Sequence, residues 1–258
     1  MVSEVRGVVI RTTDINESDR LITIYTEEKG LITALARGAR SVKSRKLSST
    51  GQFCYSVFIL QQTGDKCWVK EASLIESFFN IRQSIDGLAL AAYIAEVMEQ
   101  VATAEGDKEL LRLCLNSLYA ISVGKYELDK VKAAFEIRLM SILGFMPDVI
   151  GCHRCGQREG NFLFDVMAGA IECASCHKEG IETHTPLIDE HESSILCHLT
   201  DGAKRALEYA IYAPAQKLFS FSATGDDMRL FSIATEKYLL NHLERGFKTL
   251  DFYNEVKL

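Results

Sequence analysis

The sequence predicts a multi-part α+β chain, with a five-stranded β-barrel over residues 1–80 followed by an α-helical region over 81–258. Three observations predict it. Short runs rich in Val, Ile, Leu, Thr and aromatics, partly alternating with a period of two, fill the first 80 residues. From Ile81 the apolar spacing becomes that of one helix face. Two Cys-x2-Cys pairs then break the helical pattern within residues 148–181. At 258 residues and 47% hydrophobic content the chain has enough apolar material for real cores.

The strand candidates are Glu4–Thr12, Arg20–Thr26, Leu31–Ala36, Tyr55–Gln62 and Cys67–Ile75. Glu27–Gly30 and Thr63–Asp65 are compact turn-forming links between strands. Five strands in this length match an OB-fold, whose open face commonly binds single-stranded nucleic acid, and an SH3-like barrel fits the count nearly as well. Tyr25, Phe53, Tyr55, Phe58 and Trp68 are available as stacking platforms. Aromatics usually fill the interior of so small a barrel, so none is assigned a binding role.

The stretch Gly30–Leu47 changes character halfway. Its strand half is followed by Arg37, Arg40, Lys43, Arg45 and Lys46, with no acidic residue among them. Formal net charge is −6, yet residues 1–80 hold 11 Lys/Arg against 9 Asp/Glu, while 81–258 hold 18 against 26. A basic loop on an acidic protein suggests a polyanion partner; a merely solvated loop is the plainer alternative. The surrounding Gly38, Ala39, Ser41, Ser44, Ser48 and Ser49 leave backbone N–H groups accessible to phosphate as well.

Helical spacing marks Leu88–Ala104, Leu110–Ile121 and Val131–Leu143, with Gly106-Asp107 between the first two and Gly144 and Pro147 ending the third. The region from 77 to 88 has no flexible-linker composition, so barrel and helices are expected to pack together. Cys152, Cys155, Cys173 and Cys176 form two x2 knuckles seventeen residues apart, the arrangement of a closed tetrahedral zinc site. Four sulfurs leave no position for water, so one structural Zn2+ per chain is expected, above a pair of redox motifs. Phe162 and Phe164 are expected to cover the metal, and His153 and His177 to stay outside its ligand set. His184, His191 and His198 read as solvated or capping. Further helices are expected at Asp189–Leu199, Asp201–Tyr212 and Asp226–Arg245, then a tail at Leu250–Tyr253 that packs back or frays. Cys54, Cys67, Cys114 and Cys197 sit in apolar settings and receive no role.

In this order the parts resemble bacterial RecO, a family of recombination mediators and DNA-repair proteins, over essentially the full length. The resemblance rests on Glu17–Gly30 (ESDRLITIYTEEKG), Ala36–Ser41 (ARGARS), Leu143–Pro147 (LGFMP), the four cysteines, Lys217–Ser220 (KLFS) and Phe247–Leu250 (FKTL). It implies an N-terminal OB-fold over 1–80, a helical domain over 81–258, and a zinc-binding insert at 148–181. It further implies binding of single- and double-stranded DNA, annealing of complementary strands, and a complex with RecR that helps load RecA onto strands coated by single-strand-binding protein. Docking of that protein's C-terminal tail and an association with RecF belong to the same set. Carried over by position, Arg20, Arg37 and Arg40 match the family's basic residues, and Lys43, Arg45 and Lys46 follow its basic character more loosely.

Annealing any sequence needs contact that ignores base identity, which phosphate neutralisation supplies without a catalytic residue. If about five cations each meet a phosphate of a single strand, log affinity falls against log salt with a slope of roughly −3.5. The sequence shows no P-loop, no ordered Ser/His/Asp set and no convincing carboxylate pair, so no enzyme is expected. A zinc deaminase would need a three-ligand open site near a Glu; Glu172 adjoins Cys173, but the fourth sulfur opposes it. A zinc-containing adaptor that mainly binds proteins is the other alternative. Glu4 and Arg6 fall where a signal peptide needs apolar residues, and no apolar run approaches a membrane span. A cytoplasmic, nucleoid-associated protein is expected.

Overall fold

The computed structural model describes residues 1–183 and 195–257. Five strands, β1 (Val2–Asp14), β2 (Arg20–Thr26), β3 (Gly30–Ala36), β4 (Tyr55–Thr63) and β5 (Lys66–Glu76), close into a barrel in the order β1-β2-β3-β5-β4. This is an OB-fold-like arrangement. Every neighbouring pair is antiparallel except β3 and β5, which meet in parallel at Leu35 and Trp68. The long β1 pairs with both β2 and β4, and its register slips at Ile10, between Val9 and Arg11. Such an extra residue bends a strand, which helps one strand serve two partners around a small barrel. Val5, Val9, Ile22, Ile24, Ala34, Ala36, Phe58, Leu60 and Val69 fill the interior.

Residues 37–54 join β3 to β4 as a folded strap. Single-turn backbone bonds run along it, from Ser44 N to Ser41 O (2.8 Å), Leu47 N to Ser44 O (3.2 Å) and Thr50 N to Lys46 O (3.0 Å). Ala39 is buried in the barrel core, while Ser49 and Thr50 are buried polar anchors. The Ser49 hydroxyl donates to Ala72 O on β5 (3.3 Å), and the Ser56 hydroxyl to Ser49 O (2.9 Å).

The chain divides into two compact bodies, 1–125 with 247–258 and 126–246. In the first, α1 (Ile85–Val101) and α2 (Lys108–Val123) pack together and against β1. Ser84 caps α1 through Gly87 N (3.0 Å), and Asp107 caps α2 through Glu109 N (2.7 Å) and Leu110 N (3.1 Å). The link between them lies hard against the β2–β3 turn. A Cβ on Gly106 would fall 2.2 Å from Glu27 O, and one on Gly30 (φ 55°) 2.0 Å from Thr103 O. The C-terminal stretch packs back as α7 (Lys248–Val256), burying Leu250 and Tyr253, with Phe247 edge-on to Tyr93 at 5.8 Å.

In the second body α3 (Leu128–Ile142), α5 (Asp201–Tyr212) and α6 (Asp226–His242) pack together. Lys132 of α3 is fully buried between the carboxylates of Glu136 (2.9 Å) and Glu236 (2.8 Å), and the Thr235 hydroxyl donates to Glu136 (2.9 Å). The cysteine segment supplies β6 (Phe162–Asp165), β7 (Ala170–Cys173) and α4 (Ala174–Thr183). The expected helix at Asp189–Leu199 is corrected at its end: Leu196–Leu199 is a strand, β8, which pairs antiparallel with β6 in a sheet of order β7-β6-β8. Its Cys197 and Leu199 are buried while Leu196 and His198 are exposed, a two-residue period that a four-residue run is too short to announce. The remainder of that expected helix, with His184 and His191, lies outside the described residues. No helix among the described residues is long and apolar enough to cross a membrane.

Candidate nucleic-acid interface and metal centre

Of the five basic residues of the strap, two hold it and three are displayed, and Arg20 of β2 shares in the holding. Asp14, at the end of β1, stands in register opposite Arg20 of β2. Its carboxylate accepts from Arg20 Nε (2.9 Å) and also pairs with Arg40 Nε (3.2 Å), so a single anion bridges two guanidiniums. The Arg20 hydrogen bond, aided by both positive charges, holds the Asp14 carboxyl below its ordinary value. Arg40 also donates to Asn16 O, and its backbone N–H to Ser18 O (3.0 Å). In the same turn Asn16 Oδ1 accepts from Ser18 N (2.8 Å) and Asp19 N (2.7 Å). Asp19 in turn accepts from Gly38 N (2.8 Å), the chief cause of its lowered pKa. The β1–β2 turn and the start of the strap are therefore laced by charge-assisted and Asx-turn bonds.

Lys46 is also an anchor. It is half-buried, its ammonium donates to Val69 O on β5 (2.9 Å), and burial, with Lys70 nearby, pushes its pKa down. Arg37, Lys43 and Arg45 are exposed, and among the described residues none of the three forms an ion pair. The Arg37 guanidinium lies over the Trp68 ring, 5.9 Å from its centroid. Of the five barrel aromatics, Tyr25, Phe53 and Phe58 are buried; Tyr55 and Trp68 are half-buried. The linking role of Asp14 was not recognised from sequence, although a carboxylate six residues before Arg20 across a tight hairpin is a readable cross-strand pair.

In the second body the four cysteines converge, with sulfurs all within 4.8 Å of one another and Cys155 Sγ 3.7 Å from Cys173 Sγ. Sulfurs bound tetrahedrally at about 2.3 Å lie about 3.8 Å apart, so the set fits a single ion of the kind thiolates favour. Cys152 begins a tight turn closed by Gly156 N to Cys152 O (2.8 Å) and Cys152 N to Gln157 O (2.7 Å). Cys173 ends β7, and Cys176 lies in the first turn of α4. Burial pushes the Cys152 thiol up, but the backbone N–H groups of Cys173, Cys155 and Arg154 outweigh it and bring it down to about 6. A thiolate is thus already favoured at one corner. Arg154 ties the knuckles by donating to Glu172 (3.0 Å) and to Cys176 O (2.7 Å). His153 contacts Ile171 O through Nδ1 (3.1 Å), and His177 contacts Glu172 (3.2 Å). Phe164 packs its ring on Tyr238 of α6 at 5.3 Å, so it serves to seat the sheet on that helix.

Comparison with known proteins agrees with this architecture. A family model described as recombination protein O N terminal matches residues 1–78, and one described as recombination protein O C terminal matches 82–186. The chain is similar to the DNA repair protein RecO of Acetivibrio thermocellus, 32% identical over 248 residues, covering 95% of this chain and 94% of that one. It is 30% identical to RecO of Caldicellulosiruptor saccharolyticus over 255 residues, 98% of each chain, and 29% identical to that of Desulforamulus reducens over 253 residues, 97% and 93%. With a closed barrel of this strand order, a helical region carrying four convergent cysteines, and relatives matched nearly end to end, the chain belongs to the recombination protein O family.

Proposed function

We propose that this protein is a non-catalytic recombination mediator that grips DNA through the strap between β3 and β4 without reading bases. It binds single strands and duplex and brings complementary strands together. With RecR it helps load RecA onto strands coated by single-strand-binding protein, whose C-terminal tail it engages, and RecF acts in the same set. Cys152, Cys155, Cys173 and Cys176 hold a structural Zn2+, which ties the two knuckles to the sheet and supplies no open coordination site. The protein works in the cytoplasm, on the nucleoid.

The observation that carries the reading is the division of the strap. Arg40, through the Asp14 carboxylate that Arg20 also holds, and Lys46 fasten it to the barrel, and Arg37, Lys43 and Arg45 are left exposed on a backbone that is already ordered. Cations held on a fixed frame lose less freedom on meeting a polyanion than cations on a mobile loop. Three phosphates neutralised on a single strand give a slope of about −2 in log affinity against log salt, shallower than five cations would give. The test is strand annealing and salt-dependent binding by the parent and by an Arg37→Glu/Lys43→Glu/Arg45→Glu variant, with melting temperature measured alongside. The variant should keep its fold and lose binding and annealing together. A flat salt slope in the parent, or normal binding by the folded variant, defeats the reading and favours the protein-binding adaptor.

A further inference from the structure

Trp68 differs from the other barrel aromatics in where its ring goes. On either side of it in β5, Val69 lies in the barrel core and Cys67 packs against that core. Neighbouring strand residues point to opposite faces, so Trp68 projects outward. It takes no part in the core cluster. This indole is half-buried and sits where the strap is fastened. Its register partner on β3 is Leu35, two residues before Arg37, whose guanidinium reaches back over the indole at 5.9 Å. The far end of the cationic run returns to the next residue of β5, where Lys46 bonds to Val69 O at 2.9 Å. The half-buried indole is thus framed by both ends of the cationic run, Arg37 and Lys46, between which Lys43 and Arg45 are displayed.

We propose that Trp68 is a base-stacking platform, with Arg37 placed to take the adjoining phosphate, and that it makes this interface hold single strands more tightly than duplex. An unpaired base presents a free π-face to an indole, whereas a base inside a duplex has both faces covered by its neighbours. Stacking is indifferent to base identity, as annealing requires. The inference rests on the DNA-binding reading of the strap and adds the determinant that separates one class of strand from the other.

Trp68 is the only tryptophan in the chain, so intrinsic emission reports on this position alone. The full chain is titrated with an oligothymidine strand and with a duplex of equal length, following tryptophan emission and, separately, anisotropy of the labelled DNA. The single strand should change the emission at saturation and the duplex should leave it alone. Trp68→Ala should weaken single-strand binding about 5- to 150-fold, with duplex affinity and salt slope retained. Trp68→Phe should restore most of the loss. Silent emission at saturation with the single strand overturns the proposal, as does an equal loss of both affinities in a folded Trp68→Ala variant. If Trp68→Ala does not fold, the emission titration and the Trp68→Phe strand ratio decide; a Phe variant with no single-strand preference and a silent parent overturn it. The two readings fail separately: a flat salt slope defeats DNA binding by the strap, whereas a steep slope with silent Trp68 defeats only the stacking platform.

Discussion

Replacing Asp14 by Ala removes the anion that bridges Arg20 and Arg40, and the result tells whether that carboxylate competes with DNA or serves it. If it competes, two guanidiniums become available beside the three exposed cations. Each phosphate met on a single strand adds about −0.7 to the salt slope, so two move it from about −2 to about −3.5. Over a fourfold rise in salt that is roughly a sevenfold extra loss of affinity, accompanied by tighter binding at the low-salt end. Anisotropy titrations of a labelled single strand at several salt concentrations measure both quantities, and Asp14→Asn keeps the acceptor while removing the charge. An unchanged slope and affinity would mean that neither guanidinium reaches a phosphate. Weaker binding at every salt concentration would mean that Asp14 holds the strap in its binding shape, and either result refutes competition. The pH dependence follows from the sign of the shift. The carboxyl is held below its ordinary value of 3.8, so the pairs persist above that value and are lost as pH falls through the lowered one. The parent slope should therefore be constant from pH 8 to about pH 5.

Two further outcomes concern the second body. Purified protein should carry one zinc per chain by elemental analysis, and Cys176→Ser should lose it and melt at lower temperature, since structural zinc contributes directly to folding; a metal-free parent of unchanged stability would count against the site. Lys132→Met leaves Glu136 and Glu236 facing each other without their cation, which should cost about 3–5 kcal/mol, a fall in melting temperature of about 6–20 °C. Burial already raises Glu136, and without Lys132 it rises further, so the folded variant binds protons more readily than the unfolded chain and gains stability as pH falls. Adding Glu136→Gln should recover much of the loss, and a single-variant cost below about 1 kcal/mol would refute the ion cluster's role.

The parts legible in the sequence are those whose physics is local. The five strands announce themselves through β-branched and aromatic composition with partial alternation, and β2, buried from Ile22 to Thr26, begins and ends where its composition says. The two cysteine knuckles are legible because an x2 spacing constrains geometry within a single turn. What the sequence hides is whatever depends on a distant partner. Lys46 reads as one more cation of a run, and only the packing of the strap along β5 turns it into an anchor on Val69. Asp14 and Arg20 are a readable cross-strand pair, but that Arg40, twenty residues beyond Arg20, shares the same carboxylate becomes visible only once two connections are laid side by side. Strand β8 is a strand because β6 offers it an edge, since its four residues carry too little pattern of their own.

The path of the chain has a consequence for how the molecule is made. It leaves the first compact body at residue 125 and re-enters it at 247, and Phe247, Leu250 and Tyr253 are buried there. A ribosome therefore delivers the whole cysteine-bearing body before the barrel's helical partner is complete, and until residue 253 emerges α1 presents an uncovered apolar flank. Deletions that remove Phe247, Leu250 and Tyr253 strike here at the stability of the amino-terminal barrel and its neighbouring helices.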